Sequence, residues 1–221
     1  MQQNQNDFRI KGINQHKNMK NLTLTIVFFL SIATVYGQSN KTQTLLDSIQ
    51  GQYVMDDNQN LTYSRVVECP GMTKRQIFDR AQSWFIYNYN SGKDVLQVQD
   101  STAGTMIGKG FYSKVYSGAN GFWVTQCDAW HIVRVDAKNE KVRIIVTLTN
   151  WEKTLIPAKA APTTSTESVY SQYPINPKGG SKTIMGKAFF ALHNRAQATF
   201  ASLEKAIKEG NTSKAIEGSN W

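Results

Sequence analysis

Residues 122–151 read FWVTQCDAWHIVRVDAKNEKVRIIVTLTNW, and this stretch decides the fold. Two runs of apolar–polar alternation flank Ala137-Lys138-Asn139-Glu140, so Phe122 to Val135 and Lys141 to Trp151 read as long strands joined in a hairpin. Val142, Ile144, Val146 and Leu148 form one apolar face. A loop of even length sets Cys127, Ala129, His131, Val133 and Val135 beside them. Trp130, Ile132 and Arg134 then lie on the other face, opposite Arg143 and Ile145. A loop of odd length exchanges the faces of one strand, because side chains alternate with a period of two.

Upstream, Leu61 to Cys69 is a strand that Pro70-Gly71 ends. Thr73-Lys74-Arg75-Gln76 fits a capping box, with Met72 and Ile77 placed as a hydrophobic staple. Ile77, Phe78, Ala81, Trp84 and Phe85 recur at helical spacing, which predicts a helix from Lys74 to Tyr87 packed on a sheet. After Ser91-Gly92 the period returns to two: Asp94 to Asp100 and Gly104 to Tyr116 read as strands, and Gly118 to Gly121 as a turn. Gly108 and Gly110, inside the second of these, signal a bulge, a bend or the close approach of other atoms.

Residues 38–60 read as a linker with a short strand at Tyr53-Val54-Met55. Residues 61–208 read as one α+β domain. Within it, residues 152–183, with Pro157, Pro162, Pro174 and Pro177, read as a long irregular loop. Met185, Ala188, Phe189, Leu192, Ala196, Phe200, Leu203 and Ile207 line one face of a closing amphipathic helix, with Gly210 as terminator and 209–221 as a loose tail.

The N-terminus carries an address. Lys20, the apolar run Leu22 to Ile32, and the small residues before Gln38 form the pattern of a signal peptide over residues 19–37, cleaved near Gly37. Residues 1–18 precede it as an extension or a start assigned too early. Export to a periplasmic or extracellular space is the expectation. With no cysteine near the cleavage point, no lipid anchor and no stable membrane attachment are expected. Cleavage removes Arg9, Lys11, Lys17, Lys20 and Asp7, so 25 basic and 16 acidic residues become 21 and 15, a net of +6. The positive residues are scattered, with no Lys/Arg run of the kind that makes a nucleic-acid arm, and nucleic acid is not expected as a partner.

The element order is β-α-β-β-β-β-α. Tyr63 to Val67, Pro70-Gly71-Met72-Thr73-Lys74 leading into Ala81-Gln82-Ser83-Trp84-Phe85, Ile107-Gly108-Lys109-Gly110 and the hairpin His131 to Val146 resemble a known family. It is a family of uncharacterised secreted bacterial domains with a TATA-box-binding-protein-like (TBP-like) fold. The resemblance implies an antiparallel sheet packed by one short helix and one long C-terminal helix. It implies no catalytic residues, since the family has none assigned, and its name concerns shape, not DNA binding. In the strand order that the fold implies, the first strand pairs with the last. Cys69 and Cys127 then lie two strand spacings apart, about 9–10 Å, beyond disulfide reach, and free thiols are expected.

Few catalytic constellations survive inspection. Cys127 and His131 share a strand face, but a closed zinc site needs four ligands and no others accompany them. Their separation along the strand, about 13 Å at ~3.3 Å per residue, is too long for proton transfer within a nucleophilic pair. Asp94, Asp100, Asp128 and Asp136 sit at strand ends or among polar residues; no Gly-x-Ser-x-Gly elbow or phosphate-binding loop occurs. No cofactor and no enzymatic activity are therefore expected.

The expected function is that of an exported, non-catalytic binding module. Its ligand-binding candidates are Trp130, Ile132, Arg134, Arg143 and Ile145, since aromatic and Arg side chains anchor such surfaces. The partner would be a protein, a glycan or an apolar small molecule. Two alternatives stand beside this. One is a carrier of lipid-like ligands, with a cavity under the C-terminal helix and residues 152–183 as lid. The other is a hydrolase of uncharacterised type. The plainest alternative is that the five residues line an ordinary sheet face or pack under the N-terminal linker.

Overall fold

The turn Asn139-Glu140 settles the hairpin register. The computed structural model describes residues 40–89 and 95–210, and in it Lys138 pairs with Lys141 across a loop of even length. Val135 then faces Ile144, and Val133 faces Val146. Glu140 takes the left-handed backbone conformation that closes so tight a loop (φ 61°). The turn is held from outside. The Glu140 amide donates to the Met72 carbonyl (2.8 Å), and the Cys69 amide donates to the Glu140 carbonyl (2.7 Å). The Glu140 carboxylate accepts from the Gly71 amide, and the Asn139 side chain accepts from the Lys74 amide (2.8 Å).

Two compact units divide the chain, Met1–Thr44 and Leu45–Trp221. Residues 40–47 are helical (α1), and of the first unit only 40–44 are described. In the second unit follow β1 (Val54–Met55), β2 (Leu61–Glu68), α2 (Lys74–Asn88), β3 (Leu96–Asp100), β4 (Thr105–Asn120), β5 (Trp123–Lys138), β6 (Lys141–Pro157), β7 (Thr163–Ser168), a 3-10 turn (Val169–Ser171) and α3 (Lys182–Glu209). The strands form one antiparallel sheet in the order β1-β2-β6-β5-β4-β3, with β7 also on β6. β2 covers β6 from Lys141 to Leu148, and β7 takes over from Asn150 to Leu155. Between them Thr149 is bulged out, since Trp130 pairs with Asn150 but His131 with Leu148.

The helices pack on one face, the inner face. The α2 stripe Ile77, Phe78, Ala81, Trp84 and Phe85 is buried as its periodicity predicts, and the capping box at Thr73 and Gln76 is present. All eight residues of the expected α3 stripe are buried too. They share one buried cluster with Val133, Val135, Ile144, Val146 and Leu148. Gly108 and Gly110 mark close approach: a Cβ at Gly108 would lie 2.5 Å from the Phe85 ring, and one at Gly110 would lie 2.6 Å from His131 and Tyr89.

Several expectations need correction. Residues 152–183 are no irregular lid: Glu152 to Pro157 continue β6, β7 folds back on it, and Val169 and Gln172 are buried beneath the following turn. Its Thr and Ser residues are edge-strand residues, which alternation cannot flag when every side chain is polar. Residues 45–60 are not a loose linker, because Leu46 and Ile49 are buried in the core and Tyr53 packs on Tyr63 and Phe189. The turn expected over Gly118 to Gly121 is shorter, at Gly121 and Phe122, with β4 running to Asn120. The signal peptide, the extension before it, the turn at Ser91-Gly92, Asp94 and residues 211–221 lie outside the described residues.

Cys69 and Cys127 are free, buried thiols. The expected pairing of β2 with β6 is observed, but the thiols are further apart than two strand spacings. Cys69 adjoins Glu140 and Cys127 faces Lys153, so the two sit about 40 Å apart along β6 at ~3.3 Å per residue.

Two substitutions test this framework by urea denaturation. Gly108→Ala forces a methyl into the Phe85 ring and is expected to lower stability by about 1–3 kcal/mol. Asn139→Ala removes the acceptor at the start of α2 and is expected to lower it by about 1 kcal/mol, with no change in the slope against urea.

Candidate functional site

The outer face of the sheet carries the five candidate residues. Cross-strand rows follow from the register: Val66, Arg143, Asp136 and Thr105 in one, then Ser64, Ile145, Arg134 and Ile107, then Thr62, Thr147, Ile132 and Lys109. Trp130 lies beyond, between Asn150 and Phe111. The structure thus brings Trp130, Ile132, Arg134, Arg143 and Ile145 onto one face, Arg134 and Arg143 exposed and the other three half-buried. Among the described residues no element shields this face from solvent, since Val66 (58 %) and Phe111 (37 %) remain exposed on it.

The arginines are not free charges. Asp136 sits between them, 2.9 Å from Arg134 and 2.7 Å from Arg143, and also accepts from Thr105. Partial burial pushes the Asp136 carboxyl upward, but the hydrogen bonds from Arg143, Arg134 and Thr105 outweigh it and hold the group below its usual value. The result is a pair of guanidinium planes oriented by one carboxylate, beside a shallow depression lined by Val66, Lys138, Lys141 and Arg143.

Trp130 is the centre of the face. Its ring meets Phe111 at 4.8 Å between centroids, Lys109 Nζ stands 4.7 Å over it, and its indole N–H donates to Glu152 (2.7 Å). Sequence reasoning missed Phe111, Lys109, Glu152 and Val66. For β4 the signal was available: Ile107, Lys109 and Phe111 alternate with Met106, Gly108 and Gly110, and the glycines mark the face under the helices.

On the inner face, His131 is fully buried. Its Nε2 lies 2.8 Å from the Tyr89 hydroxyl, and its ring stacks on Tyr112 at 3.6 Å. Its Nδ1 has no hydrogen-bond partner. Burial pulls the imidazole down to about 3 and pushes the Cys127 thiol up to about 11. A neutral imidazole and a protonated thiol on one strand face do not make a base and a nucleophile. His193 pairs with the Tyr63 hydroxyl (3.1 Å). Among the described residues no group of three or more His, Cys, Asp or Glu is placed to hold a metal ion. Asp128 accepts from the Lys114 amide and Gln126, and Asp100 closes a turn through the Ala103 amide, so these carboxylates serve local structure.

A second concavity, of ≈ 280 Å³, opens between α2, α3 and β4, with Trp84, Tyr89, Phe111, Tyr112 and Arg195 in its walls. Its polar atoms are largely engaged: Trp84 Nε1 donates to Ser202 (2.9 Å), and the Tyr112 and Thr199 hydroxyls are 2.6 Å apart.

The buried imidazole makes stability depend on pH. Its ordinary value is 6.5 and its folded value about 3. Between these values the unfolded chain holds a proton that the folded chain refuses. Its contribution is therefore complete above pH 6.5 and is lost as pH falls toward 3. His131→Phe, which keeps the stacking on Tyr112, is expected to shrink the stability loss between pH 7 and pH 4.5 by about 2–3 kcal/mol in urea titrations. An unchanged pH slope would contradict the burial argument.

Comparison with known proteins agrees with this geometry. Residues 63–151, from β2 into β6, match the family described as a domain of unknown function (DUF4468) with TBP-like fold. A TBP-like protein from Parabacteroides distasonis is similar in structure (TM-score 0.53), at 17 % identity over 72 % of this chain and 98 % of its own. A DUF4468 family protein from Bacteroides ovatus gives a TM-score of 0.49 at 14 % identity, over 74 % of this chain and 95 % of its own. No curated protein matches the chain. With its β2-α2-β3-β4-β5-β6 core in this order, the segment 63–151 is a DUF4468 domain, a domain of unknown function with a TBP-like fold.

Proposed function

We propose that the chain is an exported, non-catalytic binding module that uses the outer sheet face, centred on Trp130, to hold a partner protein. The observation that supports it is the composition of that face. An aromatic pair, half-buried Trp130 and exposed Phe111, stands next to Ile132, Ile145 and Val66, with Arg134 and Arg143 oriented at the side by Asp136. Protein-binding surfaces combine an apolar, aromatic centre with Arg and a polar rim in this way. Fixing the guanidinium groups before binding lowers the ordering cost of using them.

The non-catalytic part rests on the ionisable groups. The carboxylates at 100, 128, 136, 152 and 167 have structural hydrogen bonds, and both described histidines are buried with their pKa lowered by burial. An active site needs convergent groups with proton-transfer geometry. The export part rests on residues 19–37.

A photo-crosslinking residue at Ile145, in cells producing the chain, captures the partner, which is then purified. Trp130→Ala combined with Phe111→Ala is expected to weaken its binding at least thirtyfold, the scale of a hot spot, without lowering the melting temperature by more than a few degrees. Capture from Ala201 on the exposed side of α3 that equals capture from Ile145 would overturn the surface assignment. So would glycan-array binding that Trp130→Ala abolishes, which would make the ligand a carbohydrate. Turnover by the pure chain on a hydrolase panel overturns the non-catalytic part. N-terminal sequencing of the extracytoplasmic protein is expected to begin near Gln38; an uncleaved cytosolic product contradicts export.

A further inference from the structure

The far end of the sheet carries a cluster of exposed apolar side chains, among them Phe122, the most exposed large apolar side chain among the described residues. There the β4–β5 turn and the β6–β7 connection lie side by side: Trp123 pairs with Pro157, and the Ala158 amide donates to the Phe122 carbonyl (3.1 Å). Phe122 at the apex is 85 % exposed, and Trp123, Leu155 and Ile156 are 48, 43 and 37 % exposed. Strand alternation distributes them around the tip. Trp123 and Leu155 point to the face that the helices occupy further down, and Ile156, beside Val124, points to the outer face.

Charge is almost absent. Residues 115–127 and 154–166 contain no Asp or Glu, and Lys159, in the connection beside Phe122, is their only charged side chain. The ends of these arms are polar but uncharged, with Ser117, Thr125, Thr163 and Thr164. The rest of the chain is densely charged by comparison, with 25 basic and 16 acidic residues in all.

We propose that this double turn is a wedge that docks reversibly into a lipid surface carrying anionic headgroups. A partner protein meets a patch from one side, whereas here both faces of the sheet end and its apex are apolar. A medium that surrounds the tip satisfies that distribution, and the headgroup–acyl boundary is such a medium. Trp and Phe favour that depth, and one Lys can extend back to lipid phosphates while its stem stays among the apolar groups. The absence of acidic groups removes the repulsion that an anionic surface would otherwise exert. Two aromatics and one cation give weak, reversible attachment, unlike a membrane anchor, and among the described residues no helix is long and apolar enough to span a bilayer. The wedge does not depend on the partner-binding role of Trp130, which lies seven positions along β5 from Trp123.

The test uses the full chain with an environment-sensitive fluorophore on Ala158→Cys, the native thiols being buried. Vesicles of phosphatidylcholine with phosphatidylglycerol are expected to shift its emission to the blue, and brominated lipid to quench it. The same label on Ala201→Cys of α3 should stay unchanged. This comparison reads the tip separately from any vesicle binding by residues 22–32. Phe122→Ser with Trp123→Ser is expected to reduce the tip signal at least tenfold at fixed lipid. Lys159→Ala is expected to reduce it about fivefold on phosphatidylglycerol vesicles, and not on phosphatidylcholine alone. Equal signals at positions 158 and 201, or a tip signal that survives the double serine variant, would overturn the proposal. A concentration-dependent dimer in sedimentation, lost in the double variant and unaffected by lipid, would also overturn it and make a second copy of the chain the occupant.

Discussion

The fold hangs on the two-residue turn Asn139-Glu140. It is bonded from outside at four points: both backbone groups of Glu140, its carboxylate and the Asn139 amide oxygen engage the connection between β2 and α2 or the first residue of α2. These contacts do three things together. They set the β5–β6 register to an even loop, which sends Val133, Val135, Ile144 and Val146 to one face. They hold the end of β2 beside β6 through the Cys69 amide. They also supply an acceptor to a free N–H at the start of α2, next to the capping box, and so point that helix across the sheet. A slip of one residue here would exchange the faces of one of the two strands, turning either Arg134 or Arg143 toward the helices and that strand's valines toward water. Which side chains the outer face presents is in that sense decided at the turn that ends β5, away from Trp130.

The two faces of the sheet differ in how closely they are approached. On the inner face glycines at 108 and 110 let the rings of Phe85, Tyr89 and His131 come within distances that a methyl would not allow. The outward residues of the same strand, Ile107, Lys109 and Phe111, are large, and nothing similar presses on them. One strand therefore makes both a dense core and an open, aromatic surface, and the division follows from side-chain alternation alone. The cost appears at His131, a ring locked between Tyr89 and Tyr112 with one nitrogen unbonded. A buried imidazole tolerates this as long as it stays neutral.

What could be read from the sequence divides along the same physical line. Elements with an apolar period were legible. The α2 stripe, all eight α3 positions and the alternation within each hairpin strand follow from spacing, whereas the loop parity that relates the two strands' faces comes from the turn; the cap at Thr73 follows from side-chain chemistry. Elements without such a period were not. β7 is Thr-Thr-Ser-Thr-Glu-Ser, an edge strand with polar groups on both sides, and it exists because the backbone of β6 beyond Leu148 needs a partner once β2 has ended. α1 and the turn after it contribute only Leu46 and Ile49 to the core, too few to make a pattern. The five site candidates lie on one face as expected, whereas the pairing of both arginines with Asp136 depends on rotamers that alternation does not encode. The face of Phe111 and Lys109 was legible in the β4 alternation, but their meeting with Trp130 across β4 and β5 was not, because cross-strand partners need a register before they can be named.

Length explains why the tip stands bare. β5 has 16 residues and β6 has 17, each spanning about 55 Å at ~3.3 Å per residue. α2 has 15 residues, about 22 Å, and α3 has 28, about 42 Å, set obliquely so that it meets Tyr63 with His193 and Arg65 with Phe200. Helices of these lengths cannot cover strands of that length. The segment after β7 extends the cover, with Val169 and Gln172 buried in it, but Phe122 and Trp123 at the last turn of the sheet stay exposed. A sheet end left uncovered would ordinarily be trimmed or filled with charged residues, which keep exposed strand ends from associating. Here the uncovered end keeps Phe122, Trp123, Leu155 and Ile156 and discards acidic groups. Uncovered strand length and apolar composition therefore coincide at one place, and that coincidence is the arrangement the proposed lipid wedge uses.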